Sequence, residues 1–302
     1  MASDIKHTTQ KKDVSCLWGA CEATLPAGFV PRYLWPEYMP ECDIDVFLRP
    51  QVVPGVQGAM RWGRWPVYFE QYLGDAEPEP NHPTHNPDAP ARIVRWIRLD
   101  RTDIPPGWKQ WSDNPYQMEG FVDISGRSDF VPHWSRSVRT MYRHWEQLEA
   151  SGDYTLVPLT YEAFAAGYKK SSVAKRTMGA SLDSTTEKIR RGSKHVRLWG
   201  VLHAGKVIAG MSALDSPTCS SSYYIAGFIQ PEAEEVPAMI GLMHHWHTSS
   251  AQEGIAHLHF GLFWHPGQPR AWKGFSAFKR KFGLTYVAYQ PALYKFMGKN
   301  KI

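Results

Sequence analysis

The sequence predicts a mixed α/β fold in two halves, with a mostly antiparallel sheet flanked by helices. Two observations carry this prediction. From Tyr154 onward, strand-like and helix-like patterns alternate in a regular order, and two apolar runs separated by Ala204-Gly205-Lys206 indicate a tight antiparallel hairpin. The chain has 302 residues, which is enough for two compact units with cores of their own.

The first half shows few clear elements. Residues 74–90 are rich in proline and polar residues and predict a surface loop. Arg92–Leu99 is rich in β-branched and aromatic residues and predicts a strand, and a helix is expected near Trp134–Ala150. A strand at Tyr154–Pro158 and a helix near Tyr161–Tyr168 open the regular part of the chain.

A three-stranded meander is predicted next. Ser184 and Glu187 form a capping-box signature for a short helix before it. The apolar runs Val196–His203 and Val207–Leu214 form the hairpin, and Tyr223–Phe228 is the third strand.

The last part predicts a long helix and an alternation of strand, helix and strand. Pro237 is tolerated in the first turn of that helix, whose apolar positions recur at three- and four-residue steps until about Gly254. The elements that follow are a strand at His257–Phe260, a helix with the apolar stripe Phe275, Phe278 and Phe282, a glycine stop at Gly283, and a strand at Leu284–Gln290.

Composition excludes several classes of protein. Apolar residues make up 43% and charged residues 21%, which is ordinary globular usage and argues against disorder. The first twenty residues carry charges and no apolar run, and no stretch of eighteen apolar residues occurs, so neither a signal peptide nor a membrane span is expected. Four irregularly spaced cysteines argue against a disulfide scaffold and a cysteine zinc site. A cytoplasmic location is the expectation.

Several short stretches together resemble a known family. They are Trp199, Gly205–Gly210, Tyr223-Tyr224, Glu253-Gly254, and Phe278-Lys279-Arg280-Lys281-Phe282-Gly283. Across about residues 155–290 these resemble the C-terminal domain of the FemAB-like transferases of the GNAT superfamily, and the BioF2-like acetyltransferase domain. The order of predicted elements is also the GNAT order.

The resemblance implies a tandem arrangement of two GNAT-like halves. Residues 1–152 would form the N-terminal domain, a divergent GNAT-like half, and residues 153–302 the catalytic domain. Arg136, Arg139 and Arg143 resemble the arginine-rich helix that closes the first half in the family. The long helical-hairpin arm of some Fem-type enzymes is missing, because Tyr161–Lys194 is too short and is interrupted by glycines.

The activity that the resemblance implies is transfer of an acyl or aminoacyl group from an activated carrier to a primary amine. The co-substrate would be an aminoacyl-tRNA or an acyl-CoA, and no tightly bound cofactor or metal is expected. The acceptor would be a peptide, a peptidoglycan precursor or a small amine, with tRNA as a further partner.

The turn after the third meander strand bears on the carrier. CoA-dependent members place a glycine-rich turn there, whose amides hold the pyrophosphate. Here Gln230–Pro237 contains no glycine, two prolines without amide protons and three glutamates, which would repel a pyrophosphate.

Candidate site residues follow from the same resemblance. Lys279, in the Phe-Lys motif, would hold the oxyanion or a phosphate, against the alternative of a solvated lysine on a basic helix. Tyr224 and His259 are the other catalytic candidates. In the GNAT layout the strands Tyr223–Phe228 and His257–Phe260 would splay apart around the carrier, and His259 would act as a base beside that opening. The substrate- or carrier-binding candidates are Phe278, Arg280, Lys273 and Tyr223, with Tyr223 and Tyr224 pointing to opposite faces of their strand.

No general base is assigned among the acids, since Asp123, Asp129 and Asp215 are expected in turns and caps. The histidines His244, His245, His247, His257, His259 and His265 are expected to be structural rather than metal ligands.

Two other functions remain open on the sequence. A glycan- or peptide-binding module on a degenerate GNAT frame would use tryptophan-lined grooves, with Trp62, Trp65, Trp96, Trp108 and Trp111 as the candidates. RNA binding without chemistry would use the basic residues Lys169, Lys170, Lys175, Arg176, Lys188, Arg190, Arg191 and Lys194.

Overall fold

The computed structural model describes most of the second half of the chain and parts of the first. The described residues are 28–30, 35, 37, 67–73, 76–78, 91–98, 103–110, 117–171, 185–186, 189–190, 194–264, 272–289 and 292–298. The strands in this part are β1 (Val67–Leu73), β2 (Ala91–Ile97), β3 (Lys109–Gln110), β4 (Gln117–Asp123), β5 (Tyr154–Pro158), β6 (Val196–His203), β7 (Lys206–Ser216), β8 (Ser221–Ile229), β9 (His257–Leu262), β10 (Thr285–Tyr289) and β11 (Leu293–Gly298). The α-helices are α1 (Arg136–Ala150), α2 (Tyr161–Lys170), α3 (Ala238–Gln252) and α4 (Trp272–Lys279).

A seven-stranded sheet in the order β10-β4-β9-β8-β7-β6-β5 forms the larger layer. All neighbouring strands are antiparallel except β8 and β9, which run parallel. The predicted mixed, mostly antiparallel sheet with flanking helices is therefore confirmed, as is the order of elements from β5 to β10.

The β6–β7 hairpin follows from its turn residues. Ala204 and Gly205 both have positive φ, 48° and 74°, as a two-residue turn of the primed type requires. Glycine adopts this conformation without a steric cost, which explains the choice at position 205. The hairpin then pairs over the whole of β6, from His203 opposite Lys206 to Val196 opposite Leu214.

Helix α3 packs on one face of this sheet, which is called the α3 face below. Its buried residues include Leu242, Met243 and Trp246, which lie in the main apolar cluster with Phe260 of β9. Helix α1 packs on α3 so closely that a Cβ added at Gly241 would lie 2.2 Å from the Trp145 ring. The predicted helices near Trp134–Ala150 and Pro237–Gly254 are thus both core elements.

Helix α2 packs on the opposite face of the sheet. Phe164 and Tyr168 lie on its buried side against Phe228 of β8. The Phe228 ring fits over two glycines, because Cβ atoms added at Gly167 or Gly210 would approach it to 2.5 and 2.4 Å. The two faces therefore carry separate apolar layers, and the sheet is covered on both sides.

The two halves of the chain exchange strands. A four-stranded sheet has the order β1-β2-β11-β3, so the C-terminal strand β11 lies between strands of the first half. In return, β4 from the first half lies between β9 and β10 of the larger sheet. The division at residues 152 and 153 stays a prediction, and the sheets themselves cross it in both directions.

Candidate functional site

Strands β8 and β9 part in the middle of the larger sheet. They pair only through Ser221–His257, Ser222–Leu258 and Tyr223–His259, although β8 continues to Ile229. The separation begins where β8 changes register against β7, between Ser212 and Ala213, which is a β-bulge on the β8 side. Bulges bend and twist the strand that carries them, so β8 turns away from β9 just after Tyr223. The predicted splay between these strands is present.

Lys279 reaches this opening from the C-terminal end of α4. The residue is only 8% exposed although it carries a cation. The ammonium Nζ donates a hydrogen bond to the backbone carbonyl of Phe260. Phe260 is the first β9 residue after the last pair with β8, so Lys279 binds backbone at the point where the strands separate. The alternative of a solvated lysine is wrong.

Aromatic rings surround the Lys279 ammonium. The ring centroids of Phe275, Tyr224 and Phe263 lie 4.9, 5.4 and 5.6 Å from Nζ. Such distances allow cation–π attraction, which offsets part of the cost of removing the ammonium from water. The Phe275 ring is 39% exposed, so this residue of the predicted apolar stripe does not belong to the core and instead covers the lysine from the solvent side.

Tyr224, another catalytic candidate of the sequence, lies beside Lys279. Its phenol hydroxyl lies over Gly227, where an added Cβ would approach it to 2.5 Å. Burial, followed by the nearby Tyr168 and Tyr223, raises the pKa of the Tyr224 phenol above its ordinary value. The hydroxyl therefore stays protonated at neutral pH and remains a hydrogen-bond donor.

His259 lies on the other face of the sheet from Lys279, in the last residue pair before the strands part. The imidazole is fully buried, and its Nδ1 lies 3.2 Å from the Oε1 atom of Glu119, which is also fully buried. Its Nε2 has no hydrogen-bond partner among the described residues. The sequence did not indicate Glu119 as a partner of His259. Glu119 precedes His259 by 140 residues, and the two residues meet only because β4 inserts next to β9.

Side chains from the N-terminal part of the chain cover His259. The Phe29 ring stacks on the imidazole at 4.9 Å, and Trp35 meets it edge-on at 4.7 Å. Glu37 accepts hydrogen bonds from the hydroxyls of Ser216 and Thr218, at 2.6 and 3.1 Å. These three residues are called the N-terminal cover below.

The predicted binding residues fall into two groups. Tyr223 points to the face of His259, as expected, and its ring lies against Gly261, where an added Cβ would be 2.9 Å away. Phe278 is half-buried and packs on Phe282 at 5.1 Å at the margin of the main apolar cluster, and its carrier-binding role stays a prediction.

Lys273 and Arg280 converge on Trp264. Lys273 is exposed, with its Nζ 4.3 Å from the centre of the indole ring. Arg280 is half-buried and donates to the Trp264 carbonyl at 3.2 Å. The two cations therefore lie beside the same residue, just after the end of β9.

The turn after β8 carries negative charge. Pro231–Ala233 form a 3₁₀ helix, and Glu232, Glu234 and Glu235 are exposed around it. The amides of Ala233 and Val236 already donate to the carbonyls of Gln230 and Ala233. A pyrophosphate at this turn would meet three exposed carboxylates, and two of the amides there are already hydrogen-bonded.

The remaining candidates have structural partners. Asp123 accepts from Ser125, and Asp129 accepts from the amide of Val131, so both act in turns as predicted. Asp215 forms a bidentate pair with Arg197 at 2.6 and 2.9 Å. Burial lowers the pKa of the His247 imidazole to about 4, and its Nδ1 bonds the Met243 carbonyl at 2.7 Å.

Two negative findings concern the described residues. No group of three or more His, Cys, Asp or Glu side chains within them is placed to hold a metal ion. None of the helices in this part of the chain is both long and apolar enough to cross a membrane.

Three solved structures are similar to this chain. FemX aligns with a TM-score of 0.58 at 9% identity, over 87% of this chain and 91% of that chain. L-PGS from Bacillus licheniformis aligns at 0.48 and 12% identity over 81% of each chain. A tandem GNAT protein from the clavulanic acid biosynthesis pathway aligns at 0.43 and 9% identity, over 81% and 79%.

The likeness to FemX establishes the fold alone, because only 9% of the aligned residues are identical. The chain therefore has the FemAB-like, GNAT-type fold that the sequence predicted. No family model matches the sequence. No curated protein matches it either.

Proposed function

We propose that the protein transfers an acyl or aminoacyl group from an activated carrier to a primary amine, at the opening between β8 and β9. The observation that carries the proposal is the position of Lys279. A buried ammonium reaches the point where two strands part, and it binds the first carbonyl of β9 beyond the paired residues.

Lys279 suits the developing charge of acyl transfer. When the amine nitrogen attacks the carbonyl carbon of the carrier ester or thioester, the carbonyl oxygen becomes an oxyanion. An ammonium has three N–H donors, and one of them binds the Phe260 carbonyl at the opening, where the oxyanion would form. Because Lys279 is buried among aromatic rings, that charge–charge contact is stronger than it would be in solution.

Tyr224 completes this side of the site. Its protonated phenol lies on the same face of the sheet as Lys279 and within the same group of rings. A neutral hydroxyl there can donate to the oxyanion or to the carrier without adding charge. Lys279 and Tyr224 are therefore the proposed catalytic residues on the α3 face.

The carrier favoured by the charges is aminoacyl-tRNA rather than acyl-CoA. The acidic turn with Glu232, Glu234 and Glu235 stands where CoA-dependent members of the superfamily bind the pyrophosphate. Lys273 and Arg280, at the other edge of the opening, provide cations for the phosphates near the 3′ end of a nucleic acid. No tightly bound cofactor takes part in this reaction.

Two of the five tryptophans of the glycan-binding alternative have a structural role. Trp96 and Trp108 are buried and pack on each other at 5.1 Å, together with Val94 and Leu293. They form the core of the four-stranded sheet and line no exposed groove. The other three tryptophans of that hypothesis, Trp62, Trp65 and Trp111, lie outside the described residues.

Thermal unfolding with different donors tests the proposal. The melting temperature is measured at fixed ionic strength with total charged tRNA, with the same tRNA deacylated, and with a panel of acyl-CoAs. A donor at 100 times its dissociation constant adds about 2.7 kcal/mol, which raises the melting temperature by several degrees. Charged tRNA is expected to stabilise the protein more than deacylated tRNA.

Any other outcome of the thermal-unfolding experiment would contradict a different part of the proposal. A shift with acyl-CoA alone would keep the transferase and overturn the choice of carrier. Equal shifts with charged and deacylated tRNA, falling steeply with salt, would favour RNA binding without chemistry through Lys169, Lys170, Arg190 and Lys194. The absence of a shift with every donor would contradict the proposal.

A further inference from the structure

The Glu119–His259 pair is the second group of polar side chains at the opening, and it lies on the face away from Lys279. Both side chains are fully buried. Buried ionisable groups cost free energy unless they are paired, and within the described part of the chain only the Nδ1 nitrogen of the imidazole has a hydrogen-bond partner. The unsatisfied Nε2 therefore calls for an explanation.

The hydrogen bond to Glu119 links the tautomer of His259 to the charge of that carboxyl group. With Glu119 ionised, as the inference below requires, the carboxylate only accepts hydrogen bonds and the Nδ1 atom of His259 is the N–H donor to it. Neutral imidazole carries one proton, which leaves Nε2 with a free lone pair. Nε2 is then a base with no competing donor among the described residues.

The position of His259 explains what this base can act on. His259 and Tyr223 form the last β8–β9 pair, so the strands begin to part directly beyond the imidazole. Lys279 binds the carbonyl of the next residue, Phe260, and lies among rings of the opposite face. An acyl group held between the strands would have the ammonium on one side and the imidazole on the other.

We infer that His259 is the general base that accepts a proton from the acceptor amine, and that Glu119 is the residue that positions it. The inference depends on the proposed acyl transfer. The amine nitrogen forms the new C–N bond as one of its protons passes to Nε2, and Glu119 stabilises the resulting imidazolium. When the carrier C–O or C–S bond breaks, the imidazolium returns the proton to the leaving oxygen or sulfur, so no oxidant or further reactant is needed.

The N-terminal cover encloses His259 on the face of the larger sheet that lies away from Lys279. Phe29 and Trp35 contact the imidazole, and Phe29 also contacts Phe121 at 4.4 Å. These rings exclude water from the Glu119–His259 hydrogen bond. The acceptor amine would reach Nε2 through the opening between β8 and β9, and this access keeps the base apart from bulk solvent.

The first test requires no substrate. Imidazole ¹⁵N spectra are recorded on the whole protein, and the His259 signals are identified by their loss in His259→Gln. We expect the Nδ1–H form in the wild type and a shift toward Nε2–H in Glu119→Gln, where an amide replaces the carboxylate. Asp123→Asn is the matched control, because Asp123 lies on the same strand beside His257 and is expected to leave the His259 signals unchanged.

The second test measures transfer from labelled aminoacyl-tRNA to a panel of primary amines, namely cadaverine, ethanolamine and L-alaninamide. Glu119→Gln is expected to lower kcat by about 10²-fold with little change in KM, as for loss of a working general base. In His259→Gly, added imidazole is expected to restore part of the activity, whereas 1,2,4-triazole, a ring of the same size and much weaker basicity, is not. A role in packing alone would be rescued by both rings or by neither.

The outcomes separate this inference from the proposed function. An Nε2–H form in the wild type would overturn the base assignment without any activity measurement. Transfer by the wild type together with an unchanged kcat in Glu119→Gln would overturn the base assignment and keep the transferase. No transfer by the wild type to any of the amines would overturn both. If His259→Gly does not fold, Glu119→Gln still decides between these results, because it preserves the size of the side chain.

Discussion

Replacing Lys279 with methionine is expected to lower the rate of acyl transfer by about 10²–10³-fold, the usual loss when one donor to an oxyanion is removed. Methionine keeps the length of the side chain and its contacts with Phe275 and Tyr224 and removes only the ammonium. The rate is measured as label transferred from aminoacyl-tRNA to an amine under single-turnover conditions.

The stability of the Lys279→Met variant provides an internal check. Removing a buried cation relieves a desolvation cost, while the Phe260 carbonyl loses its donor, and these opposing effects leave a net change within about 1–3 kcal/mol. Lys281→Met is the matched control, since Lys281 is a half-buried lysine two residues further along the chain. If Lys279→Met transfers label as fast as Lys281→Met and the wild type, Lys279 has a structural role only.

The contact between α1 and α3 predicts the largest effects on stability. Trp145 is fully buried against Gly241, so Trp145→Ala is expected to cost about 3–5 kcal/mol in the free energy of unfolding. Gly241→Ala forces a Cβ into the Trp145 ring and is expected to cost about 1–3 kcal/mol. Urea unfolding measures both changes.

A double-mutant cycle makes this prediction specific to the contact. The Trp145→Ala variant lacks the ring that clashes with an added Cβ at position 241. In this variant, Gly241→Ala is therefore expected to leave the free energy of unfolding nearly unchanged or to raise it. Gly274→Ala is the matched control, because Gly274 is also a helical glycine but has no heavy atom within 4 Å of an added Cβ. Gly274→Ala is expected to raise the free energy of unfolding by about 0.5–1 kcal/mol. Additive costs at positions 145 and 241 would contradict the packing of α1 on α3.

Local sequence patterns predicted the second half of the fold because its elements pair with their neighbours in the chain. The strand bounds Tyr154–Pro158 and Val196–His203 were predicted as the structure has them. Turn chemistry at Ala204-Gly205 and apolar periodicity in α3 are properties of a few adjacent residues. Such signals need no knowledge of distant parts of the chain.

The strand exchange escaped prediction for the opposite reason. β11 pairs with β2, about two hundred residues earlier in the chain, and β4 inserts between β9 and β10. The local sequence pattern of Leu293–Gly298 does not indicate which strands it pairs with. Glu119 was missed with β4, because its partner His259 is identified only by that long-range pairing.

The site residues stay a prediction. Lys279, Tyr224 and His259 were the catalytic candidates of the sequence, and the structure has Lys279 beside Tyr224 on one face of the larger sheet and His259 on the other face, in the last β8–β9 pair. The sequence predicted that Phe275 shares an apolar stripe with Phe278 and Phe282, but it did not indicate that the Phe275 ring lies against the Lys279 ammonium. Periodicity shows that residues share a face and does not show what that face contacts.

Hydrogen exchange followed by mass spectrometry tests most directly whether the opening between β8 and β9 is the donor site. The whole protein is compared alone, with charged tRNA, with deacylated tRNA and with acetyl-CoA. Peptides that contain residues 224–229 and 260–264 are expected to exchange more slowly with the donor bound, whereas a peptide covering β6 is expected to be unchanged. Slower exchange confined to α1 or to the four-stranded sheet, with none at these β8 and β9 peptides, would contradict the account.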